Sequence, residues 1–418
     1  MPDQLMNWAK NITFSAHRAH HPTSVVELRR VVAGAEHIRA LGSGHSFNTI
    51  ADSAGDLVSL AALPPLMTID TERSTVTVAA GLRYGEVASY LNAHGYALHN
   101  MGSLPHISVA GACATGTHGS GPKNGNLATA VRGLDLVTAT GDLISLDADS
   151  DGFLGSVVAL GMLGIVTSVT LDIVPAFDVE QYVYEDLPLP QLYEHFDEIV
   201  NAAYSVSLFT TWRESRIEQV WVKRRIDEPA NTKPGWMGLR AAEVDLHPVP
   251  GIDAASTTQQ LGVPGPWHER LPHFRLGFTP SSGDELQTEY FVARESAAAA
   301  LDAVDAIRHQ FSPLLQVCEL RTIAADQLWL SPSYGRDSFA IHFTWIKDID
   351  AVTPAVAGLE QQLAPYDARP HWGKVYTTAP ETIARLYERL PAFAALAHGY
   401  DPTGKFRNEF VDRYIPKR

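Results

Sequence analysis

Two glycine-rich segments set the strongest constraint on this chain. Leu41-Gly42-Ser43-Gly44-His45-Ser46-Phe47-Asn48 places a histidine inside a glycine turn, and Gly111-Ala112-Cys113-Ala114-Thr115-Gly116-Thr117-His118-Gly119-Ser120-Gly121 reads as a long ribbon of exposed backbone. Glycine permits close approach and positive φ, and successive turn amides can converge on an anion. The pair predicts a cradle for a large anionic ligand, with His45 placed to touch or bond it. Glycines serving only tight turns are the competing reading, and the second, longer segment weighs against it. A Walker loop is excluded at Gly42 because the Gly-Lys-Ser/Thr ending is absent. A Rossmann fingerprint is also poor, since no full Gly-x-Gly-x-x-Gly opens a helix ahead of an acidic strand end.

At 418 residues the chain exceeds one ordinary core, so two or more domains are expected. A formal charge of −15 argues against a broad nucleic-acid surface. The local run Lys223-Arg224-Arg225 reads as the solvated end of a strand. The N-terminus lacks the basic start and apolar core of a signal peptide, and no stretch reaches the roughly 18 to 20 apolar residues of a membrane span. A soluble, cytoplasmic, monomeric protein is expected. Cys113 and Cys318 form neither a disulfide framework nor a zinc motif, and both are expected to be reduced. His106 and His118 read as loop organisers rather than metal ligands, so no metal is expected.

Local patterns predict a mixed α+β chain. Pro22–Val32 reads as a helix capped by Thr23 or Ser24, and Tyr84–Gly95 as a short amphipathic helix with a glycine stop. Short strands are expected at 38–41, 57–60, 67–70, 74–79, 131–139, 143–146 and 164–175, the last closed by Pro175. Composition then shifts, placing a domain boundary near Pro175. Beyond it, strands are expected at 205–209, 219–223, 287–292, 315–321 and 338–345, with helices at 295–309 and 351–363, as a sheet with helices on one face. The Gly- and Pro-rich interval 228–280 has little periodicity and is expected to fold over a site or make a subunit contact.

The second domain carries its own polar signal. Glu319 and Arg321 lie two apart in Val317-Cys318-Glu319-Leu320-Arg321, and His342 and Thr344 repeat the spacing in Ile341-His342-Phe343-Thr344-Trp345. Each pair points from one face of its strand. Lys374 can add a fifth polar group. A solvent-facing ion pair at Glu319 and Arg321 is the alternative reading of the first pair.

Gly42-Ser43-Gly44-His45-Ser46, Ser103-Leu104-Pro105-His106-Ile107-Ser108 with Ala110-Gly111, Thr115 to Gly121, and Gly161-Met162-Leu163-Gly164-Ile165 resemble the vanillyl-alcohol-oxidase type of flavoprotein. His371-Trp372-Gly373-Lys374 and Asp401-Pro402-Thr403-Gly404-Lys405-Phe406-Arg407-Asn408 resemble its sugar-lactone and alditol oxidase branch. The resemblance spans nearly the whole chain. It implies an FAD-binding domain at 1–175, a substrate-binding cap at 176–375 and a C-terminal segment, 376–418, returning to the first domain.

By the same resemblance His45 carries a covalent bond to the flavin. The implied cofactor contacts are Gly42, Ser43, Gly44, His45, Ser46, Ser103, Ser108, Gly111, Cys113, Thr115, Gly116, Thr117, His118, Gly119, Gly164, Ile165, His371 and Asn408. A second attachment through Cys113 is the minor alternative to its packing in the core. Ser103, Glu319, Arg321, His342, Thr344 and Lys374 are the implied polyol contacts, and Glu319, Arg321, His342 and Lys374 the catalytic set. The implied reaction oxidises the terminal alcohol of an alditol such as xylitol or sorbitol, with O₂ as acceptor. His342 is the expected general base, since an ordinary histidine pKa suits proton transfer near neutrality, with Glu319 the alternative carrier of the proton. A sugar-lactone oxidase, a flavin dehydrogenase and a non-catalytic flavin- or sugar-binding protein are the alternatives.

Overall fold

A computed structural model describes residues 5–229, 235–278 and 283–417 of the chain. The expected irregular interval 228–280 therefore falls partly outside the described residues, at 230–234 and 279–280. Two sheets organise the N-terminal lobe. Arg18–His20, Asp56–Val58 and Ile38–Ala40 form a parallel three-stranded sheet in that spatial order. Met67–Asp70, Thr75–Ala79, Ile165–Asp172, Val131–Val137 and Leu143–Asp147 form an antiparallel sheet of five, again in spatial order. The helix Val25–Gly34 covers the smaller sheet; Ser24 caps it by accepting from the Glu27 amide, and Leu28 and Val32 face the core.

The remaining residues build a larger antiparallel sheet. Its long strands run Asp178–Pro188, Arg216–Arg225, Ser205–Thr210, Leu315–Ile323, Ser338–Ile346 and Glu285–Ala293 in spatial order. The 11-residue strand Asp178–Pro188 was not legible in the sequence. Its Glu180 and Gln181 are buried, breaking the polar-out alternation that marks a half-exposed strand. One face of this sheet packs on helices Ala297–Ala306 and Ile349–Leu363, so Leu320, Ile341 and Phe343 are buried beside Leu301, Val304, Val356 and Leu359. Strand side chains alternate, which leaves Glu319, Arg321, His342 and Thr344 on the opposite face.

After the cap sheet the chain returns to the first lobe. Helices Pro380–Leu386, Leu390–Tyr400 and Glu409–Tyr414 bury Ile383, Phe393 and Val411 in the same core as Val76, Val87 and Val169. Arg39 reinforces this return from within, donating to the carbonyls of Ile50, Leu160 and Phe406. One expectation fails here. Gly111–Thr115, read as the start of an exposed ribbon, belongs to a helix, Val109–Thr115, that ends on Gly116 at φ 71°. Three alanines there favour helix strongly enough to outweigh one glycine.

Candidate active site

A cavity of about 650 Å³ runs between the lobes. Its lower wall is made of loops. Ser43 and Ser108 join the two glycine segments reciprocally, the Ser43 amide donating to Ser108 Oγ at 3.3 Å and the Ser108 amide to Ser43 Oγ at 3.1 Å. A Cβ on Gly42 would collide with the same Ser108 hydroxyl, so glycine is required for this approach. Gly44 adopts φ 71° and its carbonyl accepts from the Trp8 amide at 2.8 Å. That contact brings the Trp8 indole against the His45 imidazole, 4.8 Å between centroids and 20° from parallel.

His45 lines the cavity, and its Nδ1 is buried without a hydrogen-bond partner. Burial, with Lys374 second, lowers its pKa to about 4 and keeps the ring neutral near pH 7. The same loop is tied to the HWGK segment. The Phe47 amide donates to Gly373 O at 2.7 Å, and Asn48 Nδ2 to Trp372 O at 2.8 Å and Lys374 O at 2.7 Å.

The upper wall is the polar face of the cap sheet. Strand register places Glu319 opposite His342, and His342 opposite Glu289, so three titratable residues form one row across three strands. The adjoining row is Val317, Thr344 and Gln287. Arg321 gathers the face together. Its guanidinium donates to Ser103 Oγ and to Glu289 Oε1, each at 3.1 Å, and its Nε lies 3.4 Å from Glu319 Oε1. Lys374 Nζ donates to Gln287 Oε1 and lies 5.3 Å from the Phe47 ring centroid.

Comparisons with known proteins give the family. Residues 17–147 match the family described as FAD binding domain, and residues 284–414 the family of D-arabinono-1,4-lactone oxidase. The chain is 53% identical to an alditol oxidase of Streptomyces sp., over 98% of this chain and 99% of that protein. The chain belongs to the alditol oxidase family of FAD flavoproteins. An L-gulono-1,4-lactone dehydrogenase of Mycobacterium tuberculosis is 29% identical, over 98% of each chain. Cholesterol oxidase from Brevibacterium sterolicum shares the vanillyl-alcohol-oxidase-type fold, with a TM-score of 0.79 and 16% identity over 99% of this chain and 96% or 97% of that one.

Within this alditol-oxidase-family site, the structure gathers most of the expected residues on one cavity. Gly42 to Ser46, Ser103, Ser108, Gly111, Thr115, Thr117, His118, Gly164 and His371 line it, as do Glu319, Arg321, His342, Thr344 and Lys374. Five expected cofactor contacts lie off its wall. Cys113 packs in the core with its Sγ 3.4 Å from the Tyr84 hydroxyl, and burial raises the thiol to about 11, which disfavours the thiolate that a second attachment needs. Gly116 ends the helix, and Gly119 packs against Asn100 and the Met101 carbonyl. Ile165 is fully buried against the smaller sheet. Asn408 caps the last helix and donates to the carbonyls of Thr49, Ile50 and Asp52. The solvent-facing alternative for Glu319 and Arg321 also fails, because their side chains are 8% and 6% exposed.

Glu285, Gln287, Glu289 and His273 are additions to the expected site, and Lys223, expected at a solvated strand end, is buried. Glu285-x-Gln287-x-Glu289 alternates polar residues along one strand face, the same signal that exposed Glu319 and Arg321. His273 had no such signal. It arrives from the aperiodic interval, and its Nε2 meets Glu319 Oε1 at 2.7 Å while its amide donates to Ser103 O at 3.1 Å. Lys223 fixes that approach: fully buried, its Nζ donates to the carbonyls of Arg270, Leu271 and Pro272 at 2.6–2.9 Å. The described part of the interval thus folds over the cavity, where His247, Val249, Ile252 and Phe274 also line it.

Electrostatics separates the acids from the base. Burial would raise the Glu319 carboxyl, but Arg321 and His273 pull it well below the ordinary carboxylate range. Glu289 behaves alike: burial opposes, while His118 and His342 overcome it. Both stay ionised. His342 is lowered, first by burial and then by Lys374, against the pull of Glu289. Lys374 is lowered to about 8, chiefly by burial. Among the described residues, no cluster of three or more His, Cys, Asp or Glu side chains could hold a metal ion. Nor is any described helix long and apolar enough to cross a membrane.

Proposed function

We propose that this protein oxidises the terminal primary alcohol of an alditol to the aldose, with O₂ reduced to H₂O₂, and that FAD is bonded covalently through His45. The observation that carries the reading is one cavity holding a glycine-loop wall and, facing it, the row Glu319, His342 and Glu289 joined by Arg321. The FAD-binding part is assigned to 1–175 and 376–418, and the substrate-binding cap to 176–375.

The residues present fit FAD. The unpartnered, neutral His45 Nδ1 is a competent nucleophile for attachment, and its ring is already held against Trp8. The joined loops at Gly42, Ser43, Ser108 and Gly111 offer a narrow wall without side-chain bulk for the anionic part. Held there by the His45 and Ser43–Ser108 loops, FAD would supply the hydride-accepting and O₂-reducing chemistry.

The protein's own groups do the rest. Glu319, held ionised by Arg321 and His273, is a poor proton acceptor and a good hydrogen-bond acceptor for a substrate hydroxyl. The neutral His342 takes the hydroxyl proton; its Nε2 lies 3.4 Å from Thr344 Oγ1 on the cavity side of the sheet. Arg321 and Lys374 stabilise the alkoxide character that develops as the proton leaves. Ser103 accepts from Arg321 and is the meeting point of both lobes, so it orients a hydroxyl farther along the chain. A flexible polyol demands several directional bonds, and each buried polar group left unmet costs about 1–3 kcal/mol of selectivity.

The test is anaerobic mixing with alditols, aldoses and lactones while flavin absorbance is followed, then readmission of air with peroxide measured. Bleaching by xylitol or sorbitol and reoxidation by O₂ support the reading. Turnover of a lactone without turnover of any alditol replaces it with the lactone chemistry named for the D-arabinono-1,4-lactone oxidase family. Acid precipitation checks attachment: yellow colour should follow the parent protein into the pellet and stay in solution for His45→Ala.

A further inference from the structure

Glu289 sits beneath the reacting face with its side chain 2% exposed. A single oxygen, Oε1, faces groups from three elements: it meets His118 Nε2 at 3.0 Å and Arg321 at 3.1 Å, and it lies 3.4 Å from His342 Nδ1, a buried nitrogen with no formed hydrogen bond, so Glu289 acts on it through charge. His118 belongs to the glycine loops of the first lobe, and its other nitrogen faces Gly119 O at 2.8 Å. Arg321 and His342 belong to the cap. One buried carboxylate therefore joins the two walls of the cavity at the point where the proton acceptor is held.

We propose that Glu289 is the positioning residue of the site, holding the His342 proton on Nδ1 so that Nε2 is left as the acceptor facing substrate. The inference rests on His342 being the base. A neutral imidazole has one donor and one acceptor nitrogen, and the partner of one decides the role of the other. Anionic Glu289 can only accept, so the nitrogen beside it is the donor. Thr344 Oγ1, 3.4 Å from Nε2, accommodates either role and imposes none. The same oxygen orients Arg321, whose other branch reaches Ser103, so base and alkoxide stabiliser share one fixed reference.

The charges around His342 define the pH signature. Glu289 faces it from one neighbouring strand and Glu319 and Arg321 from the other, while Lys374 and His371 approach from the segment after the cap sheet. Glu289 favours a proton on the ring; Lys374 and Arg321 oppose one. Replacing Glu289 by glutamine removes a favouring charge, so the acid limb of hydride transfer moves to lower pH.

The experiment is anaerobic flavin bleaching by xylitol in Glu289→Gln across pH, with flavin content and polyol affinity measured alongside. The rate is expected to fall roughly 100-fold, the lower range of a general base's contribution, with polyol affinity changed much less. A parent-like rate with an unmoved acid limb overturns the proposal. The parent holoenzyme supplies a second measurement, independent of how the variant folds. With ¹⁵N-labelled histidine, the resonances lost in His342→Gln identify the ring, and a neutral ring with its proton on Nδ1 is expected. A proton on Nε2 overturns the proposal. Bleaching at the parent rate in His342→Gln would remove the base assignment instead, while the tautomer still reports on the Glu289 contact.

Discussion

The two walls of the cavity are built from opposite materials. The lower wall is backbone: glycine turns, two serines bonded to each other's amides, and one histidine on an indole. The upper wall is side chains, three carboxylates, an arginine, a lysine and histidines, raised on a stiff sheet whose other face is mostly apolar. A large anionic cofactor needs shape and close approach. A substrate that exchanges at every turnover needs directional partners that remain in place while the cavity is empty, and here the charged groups hold one another.

The sharpest way to break this division is Arg321→Met. It removes the partner shared by Glu289, Glu319 and Ser103, and the bleaching rate should fall about 100- to 1,000-fold. The loss of a buried ion-pair partner should also lower stability by about 3–5 kcal/mol, read as the denaturation midpoint. If yellow colour still precipitates with the protein, the lower wall is independent of the upper, as the contrast requires.

Lys223→Met probes the contrast from farther away. Three carbonyls near His273 lose their donor, so His273 should loosen from Glu319 and the polyol KM rise roughly tenfold, with flavin content unchanged. A parent-like KM would show that the approach of the 270–273 segment does not depend on this ammonium.

A smaller effect concerns pH. Lys374 carries its proton below about pH 8 and loses it above, so alkoxide stabilisation declines as pH rises through 8. Hydride transfer should therefore show a basic limb near pH 8, absent in Lys374→Arg, whose guanidinium stays charged. Cys113→Ala should do least: about 1 kcal/mol of stability and no change in acid-stable colour. Loss of that colour would restore a second attachment.

How much of this was readable from sequence follows the same division. The lower wall is made of contiguous residues, so Gly42 to Ser46 and the Ser103 to Thr117 stretch could be recognised as motifs. What misled was composition: Ala112, Cys113 and Ala114 sit in a helix that turns Cys113 into the core. The upper wall draws on strands far apart in the chain. Glu319, Arg321, His342 and Thr344 are visible through alternation, and Glu289 carries an equal signal on a third strand, whose pairing with the His342 strand has no mark in the sequence. His273 could not be read this way. Its position depends on a buried lysine holding carbonyls, a contact with no period in sequence. The strand Asp178–Pro188 escaped because its neighbours cover its polar residues.

The hydrogen bonds from Phe47 and Asn48 to residues 372–374 also have a mechanical meaning. The loop bearing His45 and the segment bearing Lys374 are stitched by one main-chain bond and by the Asn48 side chain, so neither can swing without carrying the other. That edge of the molecule acts as a clamp. Elsewhere on the rim Ile252 stands exposed beside Val249 and Phe274, and the Phe274 and His273 amides tie that stretch to Ser103 O. A crosslink there should slow product exit, while one between the His45 loop and the HWGK segment should leave turnover as it was.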